Sequence, residues 1–361
     1  MSLILGIETS CDETSASVVE DGYRVLSNTV ASQIAKHAVY GGVVPELAAR
    51  EHLEAITPVV SNALETAGKK IADMDAVAVT AGPGLMPALL IGVNFAKGLA
   101  AGNNLPLIGI DHFIAHIYGT FLDGAITELK KPGIFPLLAL VVSGGHTSLV
   151  LISKDGRAET VGFTLDDAAG EAFDKAAKLL NLGYPGGPVI EKAAKNGNPS
   201  KYSFPRSLTG GAGRALSNEN RFNFSFSGVK TALLYHCRNL GGNENIDDKT
   251  LFDTVASYQE AIVDVLCRKT LDAAEYFNVS SIVVSGGVAC NTALRERFKS
   301  NTPKKINLYL AEKKYCTDNA AMVAGLAYQY HIKGIHHDLS IDPYARGTDS
   351  LFAVPLVACA G

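Results

Sequence analysis

Asp111-His112-Phe113-Ile114-Ala115-His116 follows an apolar run, Pro106 to Ile110, that reads as a buried strand. If a helix comes next, His112 and His116 stand four residues apart on one face, close enough to grip a single metal ion. The zinc-protease form of this spacing carries Glu directly after the first histidine, because that carboxylate takes a proton from metal-bound water. Here that position is Phe113, which disfavours a hydrolytic zinc site. The ordinary alternative is a chance pair on a helix surface. Two imidazoles undersupply a metal, so a carboxylate must arrive from elsewhere. Asp318 is one candidate, expected in the first turn of a helix capped by Thr317, where an acid also complements the helix dipole by roughly 0.3–1 kcal/mol with no metal at all. Glu8, Asp12 and Glu13 are the others, although acids in turns are usually solvated.

A second group of residues suits an anion. Ser143-Gly144-Gly145-His146-Thr147 and Ser285-Gly286-Gly287 each close an apolar strand, the second directly before a helix expected to begin near Asn291. Glycines at a strand end let backbone N–H groups approach an anion with no Cβ in the way. One such turn is weak; two, beside the polar hairpin Glu8 to Ser15, point to a nucleotide bound beyond the carboxyl ends of strands. In "GEAFDKAAKLLNLGYPGGP", Phe173, Ala176, Ala177 and Leu180 mark the inward face of a helix. Asp174 lies on its other face, either towards a cleft or pairing with Lys178 four residues on.

These residues need elements to position them, and the chain supplies a plan twice. "LILGIETSCDETSASVVEDGYRVLSNT" is strand, polar turn, strand, Asp21-Gly22 turn, strand; "LLALVVSGGHTSLVLISKDGRAETVG" repeats it with Asp155-Gly156. Asp-Gly between alternating apolar residues is a strong hairpin signal. Helices and further strands follow each trio, including a strand, Gly-Pro turn and buried helix in "VAVTAGPGLMPALLIGVNFAKGLA" and an exposed amphipathic helix kinked or ended by Pro58. Two related α/β domains are expected.

At 361 residues, 47% hydrophobic and 19% charged, the chain is long enough for two domains with their own cores. The run from Leu85 to Ala101 contains Pro87, Gly92, Asn94 and Lys97, a buried helix rather than a bilayer span. No basic leader opens the sequence, so a secretory signal is not expected. Six scattered cysteines without a C-x-x-C pair fit neither a disulfide framework nor a zinc ribbon and suit a reducing cytoplasm. The net charge of −4 gives no global field to gather nucleic acid. Lys195, Lys201, Arg206, Arg214 and Arg221 form a basic stretch in a Gly/Asn/Ser-rich region, where the plain reading is a solvated loop.

"GIETSCDET", "YGGVVPELAAREH", "AGPGL", the histidine pair, "VSGGHT", "DDAAGEAFDKAAKLL", "YPGGP", "FSFSGVKT", "SGGVACN" and "CTDNAAM" follow one another in the order of the TsaD-type tRNA threonylcarbamoyladenosine synthesis proteins. The chain most resembles their bacterial members, over nearly its whole length. The resemblance implies an α/β, actin-like (ASKHA, ribonuclease H-like) two-lobed fold with duplicated βββαβα domains, one lobe from residues 1–112 and 330–361 and the other from 113–329. It implies an acyltransferase that moves threonylcarbamoyl from threonylcarbamoyl-AMP to the N6 amine of the adenosine adjacent to the tRNA anticodon. His112, His116 and Asp318 would hold one divalent ion, Fe2+ favoured by the resemblance and Zn2+ the alternative, since imidazole and carboxylate suit both. Val141, Val142, Ser143, Gly144, Gly145, Asp174, Gly187 and Asn291 would bind the adenylate. Asp12 and Glu13 match family acids near the reacting group, and neither carries an assigned proton-transfer role, so no catalytic acid or base is named. The implied partners are tRNA, a TsaB-type paralogue docking on helices such as that starting near Glu46, and a TsaE-type ATPase, in the cytoplasm and with no membrane.

The chain departs from the family pattern at four places. Ile114-Ala115 stands where Glu-Gly is usual, Cys290 replaces a small residue, the stretch from Pro205 to Phe224 is longer, and "DPYAR" stands where Arg-Pro-Arg is common. The last leaves Arg346 as the remnant of a tail that could touch tRNA. An ATPase or kinase on the same fold would explain the glycine loops but leave the histidines without a task; a non-catalytic scaffold would be expected to have lost both.

Overall fold

The computed structural model describes residues 1–209, 218–242, 246–345 and 352–353. Arg214 and Arg346 lie outside them. The chain divides into two compact units, the first from Met1–Ile134, Lys154–Ala158 and the residues from Ala311 on, the second from Phe135–Ser153 and Glu159–Leu310. These edges differ from boundaries at 112/113 and 329/330, because the helix bearing the histidines and the helix after Asp318 both pack with the first sheet.

In the first unit, β1 (Leu3–Glu8), β2 (Glu13–Glu20) and β3 (Arg24–Ser32) form an antiparallel meander. The β2–β3 turn runs through Asp21 at φ 50°, Gly22 at φ 78° and Tyr23, whose N–H donates to Glu20 O at 3.2 Å, with the left-handed Asp-Gly pair reversing the chain. After α1 (Ile34–Ala38) and α2 (Pro45–Thr66), β4 (Ala76–Gly82) joins β1 in parallel; α3 (Met86–Asn103) then leads to β5 (Leu107–Asp111), parallel to β4. The sheet order is β3-β2-β1-β4-β5. Leu5, Ile7, Val18, Val77 and Val79 pack against Ile56, Val60, Val93 and Ala96 of α2 and α3 to make the core. α2 continues through Pro58, whose ring is exposed, so the lost backbone bond faces solvent. α4 (His112–Gly119), the short α5 (Ile126–Leu129) and α11 (Ala320–His331) complete the unit. α11 packs on β1, where Gly6 makes room: a Cβ there would stand 2.5 Å from the Ala320 carbonyl oxygen.

The second unit repeats the plan. β6 (Leu137–Val142), β7 (Thr147–Ile152) and β8 (Arg157–Phe163) open it, and Gly156 turns at φ 80°. α6 (Ala169–Leu179), α7 (Gly186–Ala194), α8 (Ser227–Asn239) and α9 (Asp248–Tyr276) precede β9 (Ser281–Ser285), then α10 (Thr292–Asn301) and β10 (Asn307–Leu310). Strand order is β10-β9-β6-β7-β8, with β6 antiparallel to β7 and parallel to β9, the arrangement of the first sheet; a two-residue β11 (Phe352–Ala353) pairs with Arg157 and Ala158. No described helix is long and apolar enough to cross a membrane.

Candidate active site

α4 starts where β5 ends. Asp111, the last residue of β5, caps it: Phe113 N and Ile114 N donate to Asp111 Oδ1 at 2.9 and 3.1 Å. His112 and His116 therefore sit one turn apart, both buried, with ring centroids 4.6 Å from each other. Asp318 Oδ1 lies 3.5 Å from His112 Nε2 and 3.0 Å from His116 Nε2, and the three ligand atoms all fall within 4.8 Å of one another. With metal–ligand bonds of about 2.0–2.1 Å, neighbouring donors in a tetrahedron or octahedron stand roughly 2.9–3.4 Å apart, and the two spacings to Asp318 lie near that range, so these three side chains could hold a divalent ion. Asp318 is not in the first turn of its helix: Asn319, rather than Thr317, caps α11, its Oδ1 accepting from Met322 N. Asp318 precedes that cap on non-helical backbone, which leaves it to the histidines instead of the helix dipole.

Glu8, one of the alternative ligands, takes a different place. Its carboxylate is fully buried, and His112 Nδ1 donates to Glu8 Oε2 at 3.1 Å. Thr80 Oγ1 donates to the same oxygen at 2.6 Å and Ser10 N to Oε1 at 2.5 Å. With the Nδ1 proton held by a carboxylate, Nε2 is the nitrogen directed at Asp318 and the one that would give a lone pair once its own proton is lost, the arrangement of carboxylate–histidine–metal sites. Burial opposes charge at His112, but the carboxylates of Glu8 and Asp318 outweigh it and lift its pKa to about 9. Burial would raise the Glu8 carboxyl, yet the His112 charge and hydrogen bond bring it below its usual value. Glu13 goes the other way: burial, then repulsion from Asp318 and Asp12, hold its carboxyl well above the usual range. A cation bound beside Asp318 would relieve that repulsion on Glu13. His116 Nδ1 is buried with no hydrogen-bond partner.

Asp12 and Glu13 are steadied from α2. The buried His52 ring lies 2.8 Å from Thr14 Oγ1 through Nδ1 and 3.0 Å from the Cys11 carbonyl oxygen through Nε2, pinning the turn that carries both acids.

In the second unit, Val141 and Val142 end β6, and Ser143-Gly144-Gly145 turn towards β7. A Cβ on Gly286 would lie 2.4 Å from the Val142 carbonyl oxygen, so the second Ser-Gly-Gly turn abuts the end of β6. Gly170 brings α6 equally close to the first turn, its N–H donating to Ser143 O at 3.2 Å. Asp174 Oδ1 accepts from Gly186 N at 2.6 Å and so fastens the start of α7, where Gly187 is the second residue. Asn291 caps α10 by accepting from Leu294 N at 3.0 Å and donates to Gln259 Oε1 at 2.8 Å. Glu191 of α7 reaches the same place, accepting from Thr292 N at 3.0 Å. These eight residues thus belong to one connected set of a strand end, turns and helices around the carboxyl ends of parallel β6 and β9. A Cβ on Gly144, Gly145 or Gly187 would meet nothing within 4 Å, leaving the backbone there open to a ligand.

Of the basic stretch, Arg206 pairs with Asp264 at 2.5 Å and Arg221 with Asp272 at 2.7 Å. Sequence reasoning found the histidines and the loops. It missed the task of Glu8, the Asp111 cap, and Tyr344, whose hydroxyl donates to Asp111 Oδ2 at 2.9 Å.

The model of the family TsaD, tRNA N6-adenosine threonylcarbamoyltransferase, matches residues 24–325. The tRNA N6-adenosine threonylcarbamoyltransferase of Syntrophus aciditrophicus (strain SB) is 48% identical over 345 residues, covering 95% of this chain and 97% of its own. That of Symbiobacterium thermophilum is 49% identical over 341 residues, covering 94% and 95%. Among solved structures, HypF of T. kodakarensis superposes with a TM-score of 0.57 at 14% identity, over 92% of this chain and 48% of its own. The activator of the 2-hydroxyisocaproyl-CoA dehydratase from Clostridium difficile, with bound ADPNP, gives 0.52 at 13% identity, over 92% and 96%. Those two likenesses show the actin-like α/β fold. The match in sequence over nearly the whole chain shows more: the chain belongs to the TsaD family and is a tRNA N6-adenosine threonylcarbamoyltransferase.

Proposed function

We propose that His112, His116 and Asp318 hold one divalent ion, Fe2+ with Zn2+ as the alternative, and that the loops of the second unit hold the adenylate of threonylcarbamoyl-AMP. The observation that carries the metal reading is the convergence of two imidazole Nε2 atoms on Asp318 Oδ1, at 3.5 and 3.0 Å. An ion there supplies a Lewis acid for a carbonyl or phosphate oxygen. Glu8 keeps the proton on His112 Nδ1 and holds the ring in place. Backbone amides at Gly144, Gly145 and Gly187 suit the phosphate, and Val141, Val142, Ser143, Asp174 and Asn291 shape the rest of the adenylate site. The N6 amine of the adenosine adjacent to the anticodon attacks the threonylcarbamoyl carbonyl carbon; the carbon–oxygen bond to phosphate breaks, AMP leaves, and N6 loses a proton.

The net charge of −4, with Arg206 and Arg221 already paired, supports assembly with partners that share the tRNA. A TsaB-type paralogue suits the apolar groove on α2 and α3 lined by Leu53, Ile56, Leu90, Ile91, Asn94 and Phe95, where Leu53 is 65% exposed. A TsaE-type ATPase completes the set, in the cytoplasm where tRNA is found. The test supplies threonylcarbamoyl-AMP and unmodified tRNA to the assembled proteins and follows AMP and modified adenosine by mass spectrometry. Transfer by the wild type, lost in His112→Ala and Asp318→Ala proteins that stay folded, is the expected result; full transfer by either variant refutes the metal reading.

A further inference from the structure

The segment after α11 returns along β5, the edge strand of the first sheet, and ends on the cap of the histidine helix. His337 N donates to Leu107 O at 2.8 Å, and Gly109 N donates to His337 Nδ1 at 3.1 Å. Further on, Ile341 fills the space over Gly109, where a Cβ would come within 2.1 Å of its Cδ1. Tyr344 N donates to Ala81 O at 2.9 Å, and the Tyr344 ring lies on Gly82, 2.7 Å from where a Cβ would stand. The backbone bond to Ala81 and the close seat on Gly82 bring the phenol to one place. Its hydroxyl meets Asp111 Oδ2 at 2.9 Å.

Asp111 has two oxygens and uses them differently. Oδ1 takes the N–H groups of Phe113 and Ile114, the first turn of α4, while Oδ2 takes the Tyr344 hydroxyl. Without that donor, Oδ2 of a half-buried carboxylate has no described partner, and the side chain is released to rotate away from the amides it caps. The helix end so loosened begins with His112. We propose that Tyr344 is a positioning residue for the transfer reaction, its hydroxyl fixing the Asp111 cap and, through it, the ring of His112. The inference rests on the metal reading for its effect on activity, but the cap itself does not.

Tyr344→Phe removes one oxygen and keeps the ring on Gly82. Its affinity for Zn2+, measured against a competing chelator, falls about threefold to tenfold, and kcat falls at limiting metal while KM for tRNA is unchanged. Asp111→Ala, which removes both carboxylate oxygens, also weakens the metal, and adding Tyr344→Phe to it weakens binding no further, because both act through one contact. Ile341→Ala, which loosens the same strap without touching the hydroxyl, keeps wild-type affinity. Amide exchange at Phe113 and Ile114 quickens about threefold or more in metal-free Tyr344→Phe protein. Unchanged exchange, an equal loss in Ile341→Ala, or multiplying effects in the double variant would each overturn the proposal. Faster exchange in a protein whose wild type binds no metal would sink the metal reading and leave the cap role standing.

Discussion

Glu8 and His112 share a hydrogen bond of 3.1 Å inside the protein, between the end of a central strand and the first residue of a helix more than a hundred positions later. The bond decides which imidazole nitrogen faces Asp318. A histidine with free choice of tautomer would spend part of its time with a proton where the proposed ion would bind.

Glu8→Gln keeps the size of the side chain and removes its charge. Metal affinity is expected to fall about 10–100-fold, the usual cost of losing a ligand's supporting carboxylate, with a smaller loss of folding stability because Thr80 and Ser10 also donate to Glu8. Titration with Zn2+ against a chelator, beside urea unfolding, separates the two effects. Unchanged affinity would show that the carboxylate is merely structural.

His52→Leu removes two contacts, those to Thr14 Oγ1 and the Cys11 carbonyl, at a fully buried position. A loss of about 1–3 kcal/mol in urea unfolding is expected, together with slower transfer as the turn bearing Asp12 and Glu13 loosens. Stability equal to the wild type would mean that the turn holds itself.

Lys269 is 3% exposed, and its Nζ donates to the Arg221 carbonyl at 2.8 Å. Burial pulls its pKa down to about 8, against about 10.4 in an unfolded chain. Between those values the unfolded chain binds a proton that the folded one does not, so this residue's contribution makes stability rise with pH across that window. The stability difference between wild type and Lys269→Met, from urea unfolding at pH 7.5 and 9.5, should grow in favour of the wild type. A difference that stays flat contradicts the depressed value.

Leu53→Asp places a charge in the groove of α2 and α3, away from the histidines. The lone chain should fold and bind metal as before but lose its response to a TsaB-type paralogue, seen as a fall in transfer rate of the assembled proteins to the slow rate of the chain by itself. Retained stimulation would place the partner elsewhere.

Much of this was legible in the residues because local rules acted alone. Asp21-Gly22 makes a hairpin whatever surrounds it, and two histidines four apart share a helix face wherever the helix lies. The two Ser-Gly-Gly turns were readable for the same reason. What escaped depended on distant chain. Glu8 looked like a turn acid, yet it ends a central strand and is buried by Thr80, Ser10 and His112. Thr317 and Asn319 are both good caps by residue type, and it is Asn319 that takes the place. Nothing near Tyr344 hints that it reaches a helix cap 233 residues earlier.

The most direct measurement is metal content and transfer activity on the same anaerobically purified protein. One Fe2+ or Zn2+ per chain is expected in the wild type and none in His116→Ala or Asp318→Ala, with transfer from threonylcarbamoyl-AMP to tRNA lost on chelation and restored by adding the ion back. Undiminished transfer by a folded, metal-free chain would contradict the role given to His112, His116 and Asp318.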